Sequence, residues 1–354
     1  MVPDAIPLDQ VRRVLVIKLR HHGDVLLTSP LFSVLKAHVP HAEIDALVYA
    51  DTAPMLAGHP ALGELFTTQR KGAGFGAELG LFRRLRARRY DLIIHLTDSS
   101  RGAWLARLLK PRWAVSGQYG KPGFWKRSFT HLYPIVGGNR RHTVELHLDA
   151  LRRIGIYPGL DERRMTLVPG RAAEAKVASW LAEQGIAAGQ FIQIHPASRW
   201  LFKCWPAERM AALVDRLTGA GHTVVLTGAP DDKERRLIAD IESRLAQPVH
   251  GLVGALSLKE LAALTASARL FVGMDSVPMH IAAAVGTPAV ALFGPSGDVE
   301  WGPWQVRAEV LTSDHSCRPC GKDGCGGSKR SECLEAIEVG RVFDAATRLL
   351  GEAR

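Results

Sequence analysis

No uninterrupted apolar run in this 354-residue chain approaches the ~20 residues needed to cross a bilayer, so a helical integral membrane protein is excluded. The opening, MVPDAIPLDQ, has early acids and no long apolar core behind a basic head, and it does not read as a secretion signal. A cytoplasmic location is therefore expected. No short-period repeat and no low-complexity tract breaks the pattern. The basic residues are not interleaved with stacking aromatics, and no nucleic-acid motif occurs, so nucleic acid is not the expected partner. Cysteine is scarce: five in all, four of them crowded into residues 317–333.

What is present suits a soluble α/β protein. Apolar residues make up 47% of the chain, and its length exceeds one ordinary core, which points to two domains. The net charge of +10 is unevenly placed. Residues 1–165 hold 25 Lys+Arg against 14 Asp+Glu, whereas the remainder holds 20 against 21. The excess fits either an acidic substrate at an anionic membrane surface or a solvated basic face. Its densest run, Arg83–Arg84–Leu85–Arg86–Ala87–Arg88–Arg89, reads as the polar face of a short helix.

Strands are expected at Val14–Lys18, Glu43–Val48, Asp91–Leu96 and Ala114–Ser116, and again at Phe191–His195, Thr223–Thr227, Leu270–Gly273 and Ala289–Phe293. Helical patterns lie between them: 28–38, 143–154, 173–184, 206–219, 232–245, 257–266 and, closing the chain, 339–354. Alternation of this kind predicts parallel β-α-β units. Gly155-Ile156-Tyr157-Pro158-Gly159 breaks the pattern, placing a linker near 158–172 between domains of residues 1–165 and 166–354.

Strand ends followed by helices are where open α/β sheets bind ligands. Four such junctions carry chemistry. KLRHHGDVLLTSP (18–30) puts Gly23-Asp24 at the head of a helix, where Asp24 either caps or serves as a general base. HPASRWLFKCWP (195–206) carries Ser198, Arg199 and Lys203, cations suited to a diphosphate or merely solvated. TGAPDDKE (227–234) follows a strand with Gly228 and carboxylates that could accept from a ribose or cap the next helix. In FVGMDSVPMHIAAAVGTPAVALFGPS (271–296), Asp275 and Ser276 stand at a helix start whose free N–H groups and dipole favour an anion. Asp275 could equally be only an N-cap.

The ordered set Gly23-Asp24, Lys203-Cys204-Trp205 and Asp275-Ser276 with His280 resembles the lipopolysaccharide heptosyltransferases, glycosyltransferase family 9, from about Val14 to Trp304. HHGDVLLTSP (21–30), HLTD (95–98), FWKRSFTHL (124–132), GGN (137–139), FKCW (202–205) and WGPW (301–304) are closest to the type III members, which add a branch heptose to heptose II.

The resemblance implies a GT-B fold, two Rossmann-like domains facing each other across a cleft, with acceptor on the first and nucleotide sugar on the second. It implies an inverting, metal-independent transfer from ADP-heptose to the phosphorylated inner core, at the cytoplasmic face of the inner membrane. By matched position Asp24 would be the base and Lys203 would neutralise the leaving diphosphate. Ser198, Arg199, Gly228, Asp232, Leu256, Asp275, Ser276, Val277 and His280 would complete the donor side. Arg20, His21, His22, Lys126 and Arg127 would face the acceptor. Val277 departs from the family pattern, which often has Gly there. A transferase of another nucleotide sugar and an inactive nucleotide-sugar or polyanion binder are the alternatives. No catalytic cofactor is expected. Cys317, Cys320, Cys325 and Cys333, spaced C-x₂-C-x₄-C-x₇-C, could hold structural zinc, form two disulfides if oxidised, or remain thiols.

Overall fold

Among the described residues, twelve short segments pair as strands, and they form two sheets of six. The computed structural model describes residues 4, 6–71, 74–121 and 123–351. It divides into two compact units between Leu167 and Val168. In the first unit β1 (Arg13–Lys18), β2 (Glu43–Tyr49), β3 (Leu65–Thr68), β4 (Leu92–His95), β5 (Trp113–Gly117) and β6 (His131–Tyr133) lie in the order β3-β2-β1-β4-β5-β6. In the second, β7 (Phe191–His195), β8 (Thr223–Gly228), β9 (His250–Val253), β10 (Leu270–Met274), β11 (Ala289–Leu292) and β12 (Ala308–Leu311) lie in the order β12-β11-β10-β7-β8-β9. Counted within each unit, the two orders are the same, 3-2-1-4-5-6, that of the dinucleotide-binding fold.

All ten pairings are parallel. Parallel sheets are covered by helices on both faces, so central strands must be apolar on both sides. β10, Leu-Phe-Val-Gly-Met, is buried at every position, as is β7. Gly273 is required within β10, because a Cβ there would lie 2.6 Å from the Phe271 ring and 3.0 Å from the His195 carbonyl oxygen.

The eight expected strands are all present, with ends within one residue or so. The four that were not expected, β3, β6, β9 and β12, are the outer strands of the two sheets. The run Arg83–Arg89 starts in the last turns of a longer helix, Phe75–Ala87, and continues past its end, and it is not simply a solvated face. Arg88 reaches the fully buried Asp45 at 2.8 Å and Glu43 at 2.9 Å, and Tyr90 Oη donates to Asp45 at 2.7 Å. The closing helix, Val339–Gly351, buries Val342, Ala345, Ala346, Leu349 and Leu350 against helix Ala207–Gly219 and strands β10–β12. Its expected continuation to 354 lies outside the described residues. No described helix is long and apolar enough to cross a membrane.

Candidate active site

In this strand order the chain leaves the sheet centre in opposite directions from its first and fourth strands, opening a crevice at their carboxyl ends. Those pairs are β1/β4 in the first unit and β7/β10 in the second. A cation–carboxylate pair sits at each.

In the second unit, Lys203 Nζ lies 2.6 Å from Asp275 Oδ2. Lys203 stands in a 3₁₀ turn, Leu201–Lys203, in the loop after β7, and Asp275 directly follows β10. The Asp275 side chain is 7% exposed and that of Lys203 23%, so the pair is largely removed from water yet open at the ammonium. The loop is held from behind. Ser198 donates its N–H to Cys204 Sγ at 3.2 Å, and Ser331 Oγ donates to the Phe202 carbonyl at 2.6 Å. Burial pushes the Cys204 thiol up to about 12, so it remains a neutral packing group. Ser276 precedes helix Val277–Val285, with Pro278 in its first turn and Gly286, at φ 80°, ending it. Neither Asp275 nor Ser276 caps that helix with its side chain. Asp275 is committed to Lys203 instead; Pro278 has no N–H and Met279 donates its own to the Ser276 carbonyl at 3.1 Å, so what the helix start offers an anion is its dipole and the Val277 N–H.

The other residues expected on the donor side lie at the ends of β7, β8, β9 and β10, which are neighbours in the order β10-β7-β8-β9. Gly228 ends β8, where a Cβ would stand 2.2 Å from Ile238 Cδ1, so glycine lets the next helix close down on the strand. Of the carboxylates that follow, Asp231 caps helix Asp232–Glu242 by accepting from Lys233 N–H. Glu234 turns inward, accepting from Ala229 N–H at 2.9 Å and lying 3.7 Å from His195 Nε2. Burial raises the Glu234 pKa, but His195 and the Ala229 N–H outweigh it and leave it lowered. Asp232 alone of the three is exposed at the helix start without capping it. Leu256 is half-buried against a core cluster containing Phe191 and Leu264. Val277 is half-buried at the first helical position, and His280 is buried one turn on. Arg199 is exposed over the Trp200 ring at 5.3 Å.

In the first unit Asp24 lies in the short helix His22–Leu26, its side chain 21% exposed, 3.7 Å from Lys18 Nζ. Lys18 is the last residue of β1 and is buried. Its ammonium donates to the Leu96 carbonyl at 3.2 Å and lies 2.8 Å from His147 Nε2. His147 Nδ1 faces the Leu27 carbonyl at 3.0 Å and must donate to it, so Nε2 accepts from Lys18. Burial and the adjacent ammonium hold His147 well below its ordinary pKa, consistent with a neutral ring. Burial pulls Lys18 down to about 8, against the opposing charge of Asp24.

Arg20 and His21 are exposed, Arg20 3.9 Å from Asp98, and His22 Nε2 lies 2.9 Å from the Asp51 carbonyl. Lys126 and Arg127 are exposed at and just after helix Gly123–Lys126, which follows β5. His95, of HLTD, is packing rather than chemistry. It is fully buried, stacked on Phe129 at 5.8 Å and tilted against Trp125 at 5.4 Å, with its pKa pulled to about 4 by burial.

Two residues that pack beside Asp24 were not singled out in the sequence. Lys18 carried a signal, a lysine closing an otherwise apolar strand. His147 carried none, since only the fold brings residue 147 to residue 18. The four clustered cysteines are all thiols. Cys317 is exposed and Cys333 is buried, its pKa raised chiefly by burial, against the opposing charge of Arg318 and with smaller help from the other three cysteines. Among the described residues no three metal-ligating side chains are arranged to hold an ion, so the zinc alternative finds no ligand set here.

Two parallel α/β units of one strand order are the architecture of the GT-B heptosyltransferases. A model of glycosyltransferase family 9 (heptosyltransferase) matches residues 79–329, and the chain belongs to that family. It is 39% identical over 294 residues to lipopolysaccharide heptosyltransferase 3 of Escherichia coli, covering 81% of this chain and 84% of that protein. The same fold is seen in the crystal structure of a family 9 glycosyl transferase from Veillonella parvula, with a TM-score of 0.86, 24% identity and 99% of each chain covered. It recurs in the Escherichia coli ADP-heptose lps heptosyltransferase II, with a TM-score of 0.75, 22% identity, and 96% and 98% covered.

Proposed function

We propose that this chain transfers a heptose from ADP-heptose to the inner core of lipopolysaccharide, as the branch on heptose II, in one inverting step without a metal. The observation that carries the reaction type is the Lys203–Asp275 pair beside the start of helix Val277–Val285. Displacing ADP from the anomeric carbon leaves negative charge growing on the diphosphate. An ammonium and a helix N-terminus, already in place, stabilise that charge and supply what a metal would otherwise bring. Asp275 holds the ammonium, and its second oxygen is available to a sugar hydroxyl. Asp232 would approach the ribose.

The acceptor hydroxyl gives its proton to Asp24, and the oxygen attacks the anomeric carbon from the face opposite ADP. A single carboxylate suffices because no sugar–enzyme intermediate forms. Lys18, 3.7 Å away, holds the Asp24 carboxylate in place at the end of β1. Residues 1–165 would carry the acceptor and 166–354 the donor, and the basic first half would meet an acidic, lipid-anchored acceptor at the cytoplasmic face of the inner membrane. Donor and acceptor are supported by the 39% identity to the Escherichia coli enzyme and by the ADP-heptose named for heptosyltransferase II.

The test is transfer from ADP-heptose to purified core acceptor already bearing two heptoses, read by mass spectrometry. One added heptose, lost with Asp24→Asn, is expected. No product, with a saturable thermal shift by a different nucleotide sugar, would discard the named donor.

A further inference from the structure

Residues 99–144 contain nine Lys/Arg and no Asp or Glu, the longest acid-free stretch in the chain. It forms helix Ser100–Leu109, β5, helix Gly123–Lys126 and β6, all in the first unit. Both helices leave the carboxyl ends of the central strands β4 and β5, the edge on which an acceptor would bind.

The outer face of helix Ser100–Leu109 is unusual for a surface helix. Its exposed positions are Ser100, Trp104, Arg107 and Leu108, with Lys110 just beyond. Trp104 is 52% exposed and Leu108 51%. Four residues apart, they share one face. The Trp104 ring meets the half-buried Phe124 ring at 4.5 Å, so the two helices present one apolar ridge, and Arg107 lies 5.5 Å from the same Phe124 ring. Arg107, Lys110, Lys126 and Arg127 are exposed around it, and none is in ion-pair contact with a carboxylate of the described residues. Exposed Trp and Leu ringed by unneutralised cations is the composition of a surface that lies in the headgroup region of an anionic bilayer: the aromatic enters the interface while the cations meet lipid phosphates.

From this we infer that the face formed by Trp104, Leu108 and Phe124, with Arg107 and Lys110 beside them, docks the protein on an anionic lipid surface. The inference deepens the proposed function, from which it takes the lipid-anchored acceptor: an acceptor held in a bilayer reaches the β1/β4 crevice only if the bilayer lies beside that edge. Charge complementarity favours lipid over a protein partner, since the acid-free stretch repels a second copy of itself.

The test is sedimentation of the full-length protein with phosphatidylcholine vesicles, with and without phosphatidylglycerol, at about 0.1 M salt. Binding is expected only with phosphatidylglycerol. Two variants separate the contributions, Trp104→Ser/Leu108→Ser and Arg107→Gln/Lys110→Gln. Each cation removed should weaken binding roughly fivefold, and each double variant at least tenfold, with melting temperature and turnover on a deacylated, water-soluble acceptor unchanged. Failure of the wild type to bind anionic vesicles, or undiminished binding by both variants, would overturn the inference. So would a wild-type dimer that the Trp104→Ser/Leu108→Ser variant dissociates, because the face would then be a protein contact. Vesicle binding without heptose transfer to any acceptor would leave this inference standing and remove the proposed reaction, and transfer without vesicle binding would do the reverse.

Discussion

Lys203 and Asp275, 72 positions apart in sequence, are joined at 2.6 Å because β7 and β10, the first and fourth strands of their unit, are neighbours in the sheet. The pair presents an ammonium at the mouth of a crevice before any ligand arrives. A positioned cation needs no reorganisation when charge develops on a leaving group.

Lys203→Ala should therefore lower kcat by about 10²- to 10³-fold and weaken ADP binding as well. It also strands a carboxylate that is 7% exposed, so a stability loss of roughly 2 kcal/mol is expected. Steady-state kinetics with a donor titration by calorimetry would check both. A variant with intact kcat would remove Lys203 from the reaction.

Asp24 makes the contrasting case. Asp24→Asn keeps the shape of the half-exposed site and leaves the second unit untouched, so donor affinity should stay the same while turnover falls about 10²- to 10⁴-fold. Equal losses in donor binding and turnover would argue against its role as base.

Lys18 gives a pH dependence with a definite sign. Its pKa is about 8 in the folded protein against an ordinary 10.5. Below pH 8 it is charged in both states, and the full cost of burying the charge, about 3 kcal/mol, is borne. Between 8 and 10.5 the unfolded chain binds more protons, so this group's contribution to stability rises with pH. Urea unfolding of wild type and Lys18→Met at about pH 7.5 and 10 should show the wild type gaining relative to the variant at the higher pH.

Gly102→Ala tests the packing that closes β4. A Cβ at Gly102 would lie 2.1 Å from His95 Cε1, and that ring is enclosed by Trp125 and Phe129. Overpacking of this kind costs about 1–3 kcal/mol, which a lowered melting temperature would register. An unchanged melting temperature would mean that His95 can move.

The central strands were legible because a strand buried on both faces must be a continuous apolar run, as in Val14–Lys18 or Leu270–Gly273. The four outer strands were not. Leu65–Thr68 alternates buried and exposed positions, and only Leu252 is buried in β9 and only Leu311 in β12. Such segments are held by pairing to an inner strand, which local composition does not record.

Legibility of the site divides in the same way. Asp24, Lys203 and Asp275 stand at strand ends that the sequence marks with Gly23, with Trp205-Pro206, and with the Ser276–Pro278 helix start. TGAPDDKE offered three carboxylates at one junction, and only the folded chain assigns Asp231 to a cap, Glu234 to His195 and Asp232 to the surface.

By itself the sequence determined two parallel α/β units, the strand ends that bear chemistry, and the family to which the chain belongs. These follow from local apolar periodicity and from short motifs within single loops. Tertiary structure alone decided that Lys203 meets Asp275 and that His147 supports Lys18. Strand order sets those contacts, and strand order depends on which long-range pairings bury the most apolar surface, a property of the whole sheet that no single segment carries.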